Sequence, residues 1–388
     1  VNNSDHIQRA SVPDPALGLY LHVPFCSTSC DFCGFYQIQS DRKGILSYID
    51  GVKRELELVD TGSRKLDTMF WGGGTPGLLP AKDMLTVGAC ITDTLGMPAE
   101  EWTVEMAPSS VKRDKLEALK EAGVTRISMG IQSLNERLLD ALGRQHSLKQ
   151  IHKAYELIRE VGFKSVNVDL IFAIPTQSEQ EWRQDVREAI GLQPDHLSTY
   201  CLTFEEDTAL FIKLQQGKVS IDPDREARFY TAIWEEAELG GFRQYEISNY
   251  AKPGHECLHN TNTWRMQEWI GIGPSASSQW NGSRHTNTPD LKEWLDGLER
   301  GERGLVDRVE LSDGLLLEDS LIFGLRMNEG VDLRQLHHRF GRDVESLPLL
   351  RKLVEEGKAV REGDRLALTP EGRMLADAVG EELLGELS

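Results

Sequence analysis

No apolar run in this chain approaches the roughly 20 residues a membrane-spanning helix needs, and the longest, such as Leu170–Ile174, fall far short. An integral membrane segment is therefore not expected. The N-terminal stretch is polar and lacks the apolar core of a secretory signal. Cysteine is sparse, six in 388 residues, too few for a disulfide framework. Positive charge is in deficit, with 43 Lys and Arg against 62 Asp and Glu and a net charge of −19. That balance argues against nucleic acid as a partner, because phosphate binding relies on a basic surface. What remains is a globular protein of a reducing compartment, placed in the cytoplasm, long enough for a core domain of roughly 200 residues and a second domain.

The few cysteines are unevenly spread. Cys90, Cys201 and Cys257 stand alone, whereas Cys26, Cys30 and Cys33 are spaced C-x3-C-x2-C, with Phe32 just before the last. Three thiolates so close can hold three irons of a cubane cluster and leave the fourth without a protein ligand, where a purely electron-transferring [4Fe–4S] centre normally uses four.

Between Leu19 and about Thr203, short β-rich runs alternate with helical stretches. The strand candidates are Leu19–Val23, Asp67–Trp71, Trp102–Met106, Thr125–Ile131, Ser165–Phe172 and His196–Leu202. Helix signals lie between them: an amphipathic Ile45–Val59, Ser109 or Ser110 ahead of Val111–Ala122, Ser147 ahead of Leu148–Val161, and Ser178 with Glu181 ahead of Trp182–Ile190. Six such alternations predict a parallel sheet with helical crossovers, either doubly wound or curled into a partial barrel. Periodicity does not choose between them. The unusual residues do: the cysteines, Gly72-Gly73-Gly74-Thr75-Pro76, Glu105 and Gln132 end or follow four successive strands, and Asp169 lies within the fifth. Ligands of parallel sheets collect at the carboxyl ends of strands, so a partial (β/α)6 barrel is favoured. Glycines without Cβ let a ligand approach the backbone. Glu105 and Asp169, carboxylates among apolar neighbours, call for a cationic or hydroxyl partner.

The anticipated division is an arm over 1–18, the partial barrel over 19–240, an extension and connection over 241–308, and a small α+β module over 309–388. In the last, helices over Leu317–Asn328, Leu333–Phe340 and Leu347–Glu356 (capped by Ser346), a hairpin over Lys358–Leu368 and a helix from Pro370 suggest a winged helix. Residues 310–388 carry 17 acidic and 10 basic side chains, so DNA binding is not expected of it and packing or partner docking is the better reading.

The motif series resembles the radical S-adenosylmethionine (SAM) family that contains the oxygen-independent coproporphyrinogen III oxidases and the HemW-type heme chaperones. It runs through Tyr20-Leu-His-Val-Pro-Phe-Cys26, Phe70-Trp-Gly-Gly-Gly-Thr-Pro76, Gly130-Ile-Gln-Ser133 and Asn167-Val-Asp-Leu-Ile-Phe-Ala-Ile-Pro175. It continues in Tyr245-Glu-Ile-Ser-Asn249, His259-Asn-Thr-Asn-Thr-Trp264 and Gly271-Ile-Gly-Pro-Ser-Ala276. The resemblance implies a [4Fe–4S] cluster on Cys26, Cys30 and Cys33, and a SAM site lined by Tyr20, Phe32, Gly73, Gly74, Thr75, Glu105, Gln132, Arg144 and Asp169.

It also implies heme or a porphyrin as partner, and a heme-acceptor protein if the chain is a chaperone. The oxidases follow the last cysteine with Gly-Cys; here Gly34-Phe35 follows, which speaks against the decarboxylase. Gly34 departs from the chaperone pattern as well, and Thr263 stands where those proteins carry Tyr. Heme chaperone ranks first, then a coproporphyrinogen dehydrogenase, then a heme-degrading or methyl-transferring enzyme. By chemical type and proximity alone, Cys257 and His259 are the heme-ligand candidates.

Overall fold

The computed structural model describes residues 15–39 and 41–387; residues 1–14 of the anticipated arm lie outside the described residues. Six strands, β1 (Leu17–Val23), β2 (Thr68–Gly73), β3 (Glu101–Met106), β4 (Arg126–Gln132), β5 (Ser165–Phe172) and β6 (His196–Cys201), lie side by side and parallel. The helices that join and cover them are α1 (Arg42–Glu57), α2 (Ala81–Leu95), α3 (Arg113–Ala122), α4 (Glu136–Ala141), α5 (Leu148–Val161), α6 (Glu179–Gly191), α7 (Ala209–Gln215) and α8 (Pro223–Leu239).

Beyond β6 come β7 (Arg243–Gln244) and β8 (Asn249–Ala251), the latter antiparallel to β6. The chain then returns through α9 (Leu258–Trp264) to β9 (Glu268–Ile272), which pairs parallel to the free edge of β1. The order is completed by β10 (Ser277–Trp280), β11 (Ser283–Asn287) and β12 (Leu305–Glu310), giving β12-β11-β10-β9-β1-β2-β3-β4-β5-β6-β8-β7. This is an α/β fold with a mixed sheet. It does not close, since β1 and β6 are not neighbours in it.

Strands β1 to β5 alternate over most of their length. Leu19, Leu21, Met69, Trp71, Trp102, Val104, Ile127, Met129, Val166 and Val168 are buried. The positions between them, Tyr20, Phe70, Thr103, Glu105, Ser128, Gly130, Asn167 and Asp169, make a mostly polar second face. A parallel sheet covered on both faces shows continuous apolar runs; alternation marks one covered face and one left for something else.

Local signals set most helix starts. Ser147 with Gln150 and Ser178 with Glu181 form reciprocal capping boxes. Two expected caps are corrected. Helix α3 begins after Lys112 without a side-chain cap, and Ser110 closes the preceding 3-10 turn by donating to the Ala107 carbonyl at 2.8 Å. Ser346 likewise donates to the Asp343 carbonyl, and α13 (Pro348–Glu355) starts at a proline whose missing N–H needs no acceptor.

The C-terminal part has its own core around Leu317, Leu321, Leu350, Leu353 and Leu383. It comprises α11 (Asp313–Arg326), α12 (Leu333–Phe340), α13, and a three-stranded sheet of β13 (Val331–Asp332), β14 (Ala359–Glu362) and β15 (Arg365–Leu368), followed by α14 (Pro370–Arg373) and α15 (Ala376–Leu387). Residues 291–299 form α10, whose Trp294 is buried against Tyr48 of α1 with ring centroids 5.9 Å apart.

Candidate functional site

At the carboxyl end of β1 the chain turns into the cysteine loop, which is closed on itself. Cys26 N–H donates to the Ile38 carbonyl at 3.0 Å and Ile38 N–H to the Pro24 carbonyl at 2.7 Å. The glycine turn after β2 lies directly beneath, with Gly74 N–H on the Val23 carbonyl (2.9 Å) and Thr75 N–H on the Phe25 carbonyl (2.7 Å). Two glycines are sterically required there. A Cβ on Gly74 would sit 2.7 Å from the Val23 oxygen, and Gly73, at φ +98°, would place one 2.4 Å from His22 Cε1.

The loop is tied down on its far side by Asp31. Its N–H donates to the Leu142 carbonyl at 3.2 Å, its carbonyl accepts from Leu210 N–H at 2.9 Å, and its carboxylate pairs with Lys213 at 2.7 Å. Phe32 packs on a small apolar cluster of Leu138, Leu142, Ile171, Ile174, Leu202 and Leu210.

The sequence-selected polar residues meet at this loop. Thr75 Oγ1 lies 3.5 Å from Cys26 Sγ. Arg144, in the turn before α5, donates from Nη1 to Cys30 Sγ at 3.3 Å and from Nη2 to the Gly130 carbonyl at 3.0 Å. Gln132 sits at a register shift between β4 and β5 with φ +68°. A Cβ on Gly130 would come within 2.9 Å of its amide nitrogen. Burial pushes the Cys26 and Cys33 thiols up, opposed most strongly by the Thr75 hydroxyl at Cys26 and by the Phe35 backbone at Cys33. Such thiols give up their protons when metal binds, not before.

Glu105 and Asp169 lie on the same face of the sheet, close enough for the charge of one to act on the other. Burial first, then the charge of Asp169, push the Glu105 carboxyl up to about 8, with the Gly73 amide acting the other way. Asp169 is raised by burial and held down by Asn167, Ser198 and Ser128. Asn167 Nδ2 donates to its Oδ1 at 2.7 Å and the Ser128 hydroxyl to its Oδ2 at 3.1 Å. On β1, Tyr20 OH lies 3.2 Å from His22 Nδ1, and His22 Nε2 lies 3.0 Å from the Tyr36 carbonyl. A carbonyl only accepts, so Nε2 carries the proton and Nδ1 accepts from Tyr20. His22 is thus a strand histidine under the cysteine loop, and burial lowers its basicity. Tyr20 stacks on Phe70, and Phe70 on His259, at centroid distances of 6.3 and 5.3 Å.

Cys257 and His259 stand elsewhere. They open α9 beneath the amino ends of β1–β3, where His259 Nδ1 lies 2.9 Å from Thr68 Oγ1 and the Cys257 thiol donates to Glu101 Oε1 at 3.3 Å. Both are buried. The structure does not bring them to the cysteine loop.

Residues that sequence reasoning passed over are Asn167, Ser128 and Ser198, which gather around Asp169, and His196, which reaches it through Asn167. The signal was available in the period-two polar positions Ser128, Gly130 and Gln132 on β4 and Ser165, Asn167 and Asp169 on β5.

The Radical SAM superfamily model matches residues 20–189, and the HemN C-terminal domain model matches 311–375. The heme chaperone HemW of Bacillus subtilis is 31% identical over 95% of this chain and 99% of its own. That of Mycobacterium tuberculosis is 33% identical over 97% of each. The solved coproporphyrinogen III oxidase HemN of Escherichia coli superposes with a TM-score of 0.82 over 96% of this chain and 91% of its own; at 22% identity this speaks to the fold alone.

Proposed function

This chain belongs to the HemN-like radical SAM family that includes the HemW heme chaperones, and from that premise we propose that it is itself a heme chaperone that binds heme and passes it to an acceptor protein. One observation carries the reading: the HemW likeness runs nearly end to end in both partners, at 31% identity over 99% of the Bacillus protein. The cysteine loop supports it, because Phe35 stands 66% exposed where the oxidases carry a further cysteine.

The donor set fits the family's cofactors. Cys26, Cys30 and Cys33 would hold the [4Fe–4S] cluster, and Tyr20, Phe32, Gly73, Gly74, Thr75, Glu105, Gln132, Arg144 and Asp169 would line the SAM site. Together these cofactors supply one-electron cleavage of a sulfonium. The chain's own residues bind and orient: the glycine turn leaves backbone open to an ammonium, Glu105 and Asp169 supply compensating negative charge, and Asp169 presents acceptors to ribose hydroxyls. Among the described residues no helix is long and apolar enough to cross a membrane. We place the protein in the cytoplasm, where a reducing environment protects an oxygen-sensitive cluster.

The test is direct. Anaerobically reconstituted protein is expected to bind hemin stoichiometrically and to leave coproporphyrinogen III intact in the presence of SAM. SAM-dependent formation of protoporphyrinogen would replace the chaperone reading with the oxidase. Cys257 and His259 are the first thiol and imidazole to replace; a Soret band unmoved by the double replacement removes them as ligands.

The acid pair makes SAM binding pH-dependent. Below about 8 Glu105 holds a proton in the free protein, and a bound cation favours the ionised form, so binding releases that proton. Affinity should therefore rise with pH, by up to about tenfold per unit below 8, and flatten above it. Glu105→Gln should lose that slope while keeping whatever slope the ligand's own amine imposes. Identical slopes by equilibrium dialysis at pH 6.5 and 8.5 would exclude Glu105 from the site.

A further inference from the structure

A chain of buried and part-buried hydrogen bonds runs from the Asp169 carboxylate away from the cofactor site. Its proton order follows from the one member that can only accept. Ionised Asp169 takes a hydrogen bond at Oδ1 from Asn167 at 2.7 Å, so the amide NH2 of Asn167 must face it. That turns Asn167 Oδ1 toward His196 Nδ1, 2.6 Å away, and makes Nδ1 the protonated nitrogen. His196 Nε2 is then bare and accepts from the Tyr245 hydroxyl at 2.8 Å, whose oxygen in turn accepts Cys257 N–H at 3.2 Å.

His196 is only 1% exposed. Burial, followed by the neighbouring Arg126 and His255, holds it in the neutral form this order requires. Tyr245 is fixed at its backbone as well, its carbonyl accepting Asn328 N–H from the C-terminal part at 2.9 Å.

We propose that His196 is a positioning residue for cofactor binding: its Nδ1–H sets the orientation of the Asn167 amide, which holds Asp169 with both carboxylate oxygens available to ligand hydroxyls. An Asn167 amide turned the other way would put its oxygen against the carboxylate and swing Asp169 off its perch on Ser128. Tyr245 is the next member outward: its oxygen already accepts Cys257 N–H, and its hydroxyl hydrogen goes to the bare His196 Nε2, which supports the Nδ1–H form. The inference rests on the SAM site proposed above.

SAM binding to the anaerobically reconstituted protein, read by equilibrium dialysis, separates this role from packing. Wild type must first load the cluster and bind SAM; failure there rejects the site reading itself. In His196→Phe a somewhat larger ring fills the site and the donor is lost, and affinity is expected to fall about tenfold with iron content unchanged. In His196→Asn a donor is restored near the Nδ1 position but a cavity is left, so affinity should return to within about threefold of wild type although this variant melts lowest. Tyr245→Phe, which removes one hydroxyl, should weaken binding by a few-fold and serves if His196→Phe does not fold. Affinity that tracks melting temperature across the three, or that stays at the wild-type value in His196→Phe or, in its place, Tyr245→Phe, overturns the proposal.

Discussion

Cys30→Ser protein, reconstituted under the same anaerobic conditions as wild type, is expected to come back with iron near background and without SAM binding. Wild type should carry about four irons per chain. Cys30 lies in the middle of the loop, and its sulfur is the one the Arg144 guanidinium reaches, at 3.3 Å. With Cys26 and Cys33 alone the cluster keeps two thiolates, and a serine hydroxyl is far too weak an acid to replace the third. The variant should fold, because the loop is closed by the Ile38 and Pro24 backbone bonds and tied by Asp31 to Leu142, Leu210 and Lys213, none of which involves the Cys30 side chain. Its melting in the metal-free state should therefore match that of metal-free wild type. Cys90→Ser, on α2 and far along the chain from the loop, is the control and should load normally. Wild-type iron in Cys30→Ser would leave the three-cysteine assignment without support.

What the sequence made legible was local. Strand cores and capping boxes depend on residues a few positions apart, so Ser147 with Gln150 and Ser178 with Glu181 could be read directly. The cysteines, the glycine turn and Glu105 were legible because parallel strands deliver their carboxyl ends to one side.

Asp169 shows where this stops. Along the chain it is an acid in an apolar run, which makes it an isolated oddity. In the sheet it belongs to a polar face assembled by register: Ser128 from β4, Ser198 from β6 and Asn167 from its own strand all reach the cluster of hydrogen bonds around it. No single window contains that set. The return of β9 to the edge of β1, pairing Gly18 with Trp269 across some 250 residues, is likewise set by an unpaired sheet edge and not by local pattern.

The amino end of the sheet holds a second structure of that kind, and Glu101→Gln there should be among the most damaging single changes to the stability of this α/β part. The Glu101 carboxylate accepts from Arg126 Nε and Nη2 at 3.0 and 2.9 Å, from the Cys257 thiol at 3.3 Å, and from the amides of His259 and Leu258 at 3.2 and 3.4 Å. Its side chain is 6% exposed and that of Arg126 is 4%. Glutamine keeps the shape but turns one oxygen into a donor facing donors, and it leaves the guanidinium buried without a counter-charge. Breaking one side of such a pair costs about 3–5 kcal/mol.

Arg126 also donates to the carbonyls of His255 and Glu256 at 2.9 Å, so the loss should loosen the run into α9 and with it the floor on which Phe70 and His259 stack. Trp71 and Trp102, in contact at 5.4 Å on the neighbouring strands, report the change by fluorescence in urea. Cys257→Ser supplies the contrast: a hydroxyl can still donate to Glu101, so it should cost under about 1 kcal/mol. A Glu101→Gln protein that unfolds within about 1 kcal/mol of wild type would mean that water, and not Glu101, compensates Arg126.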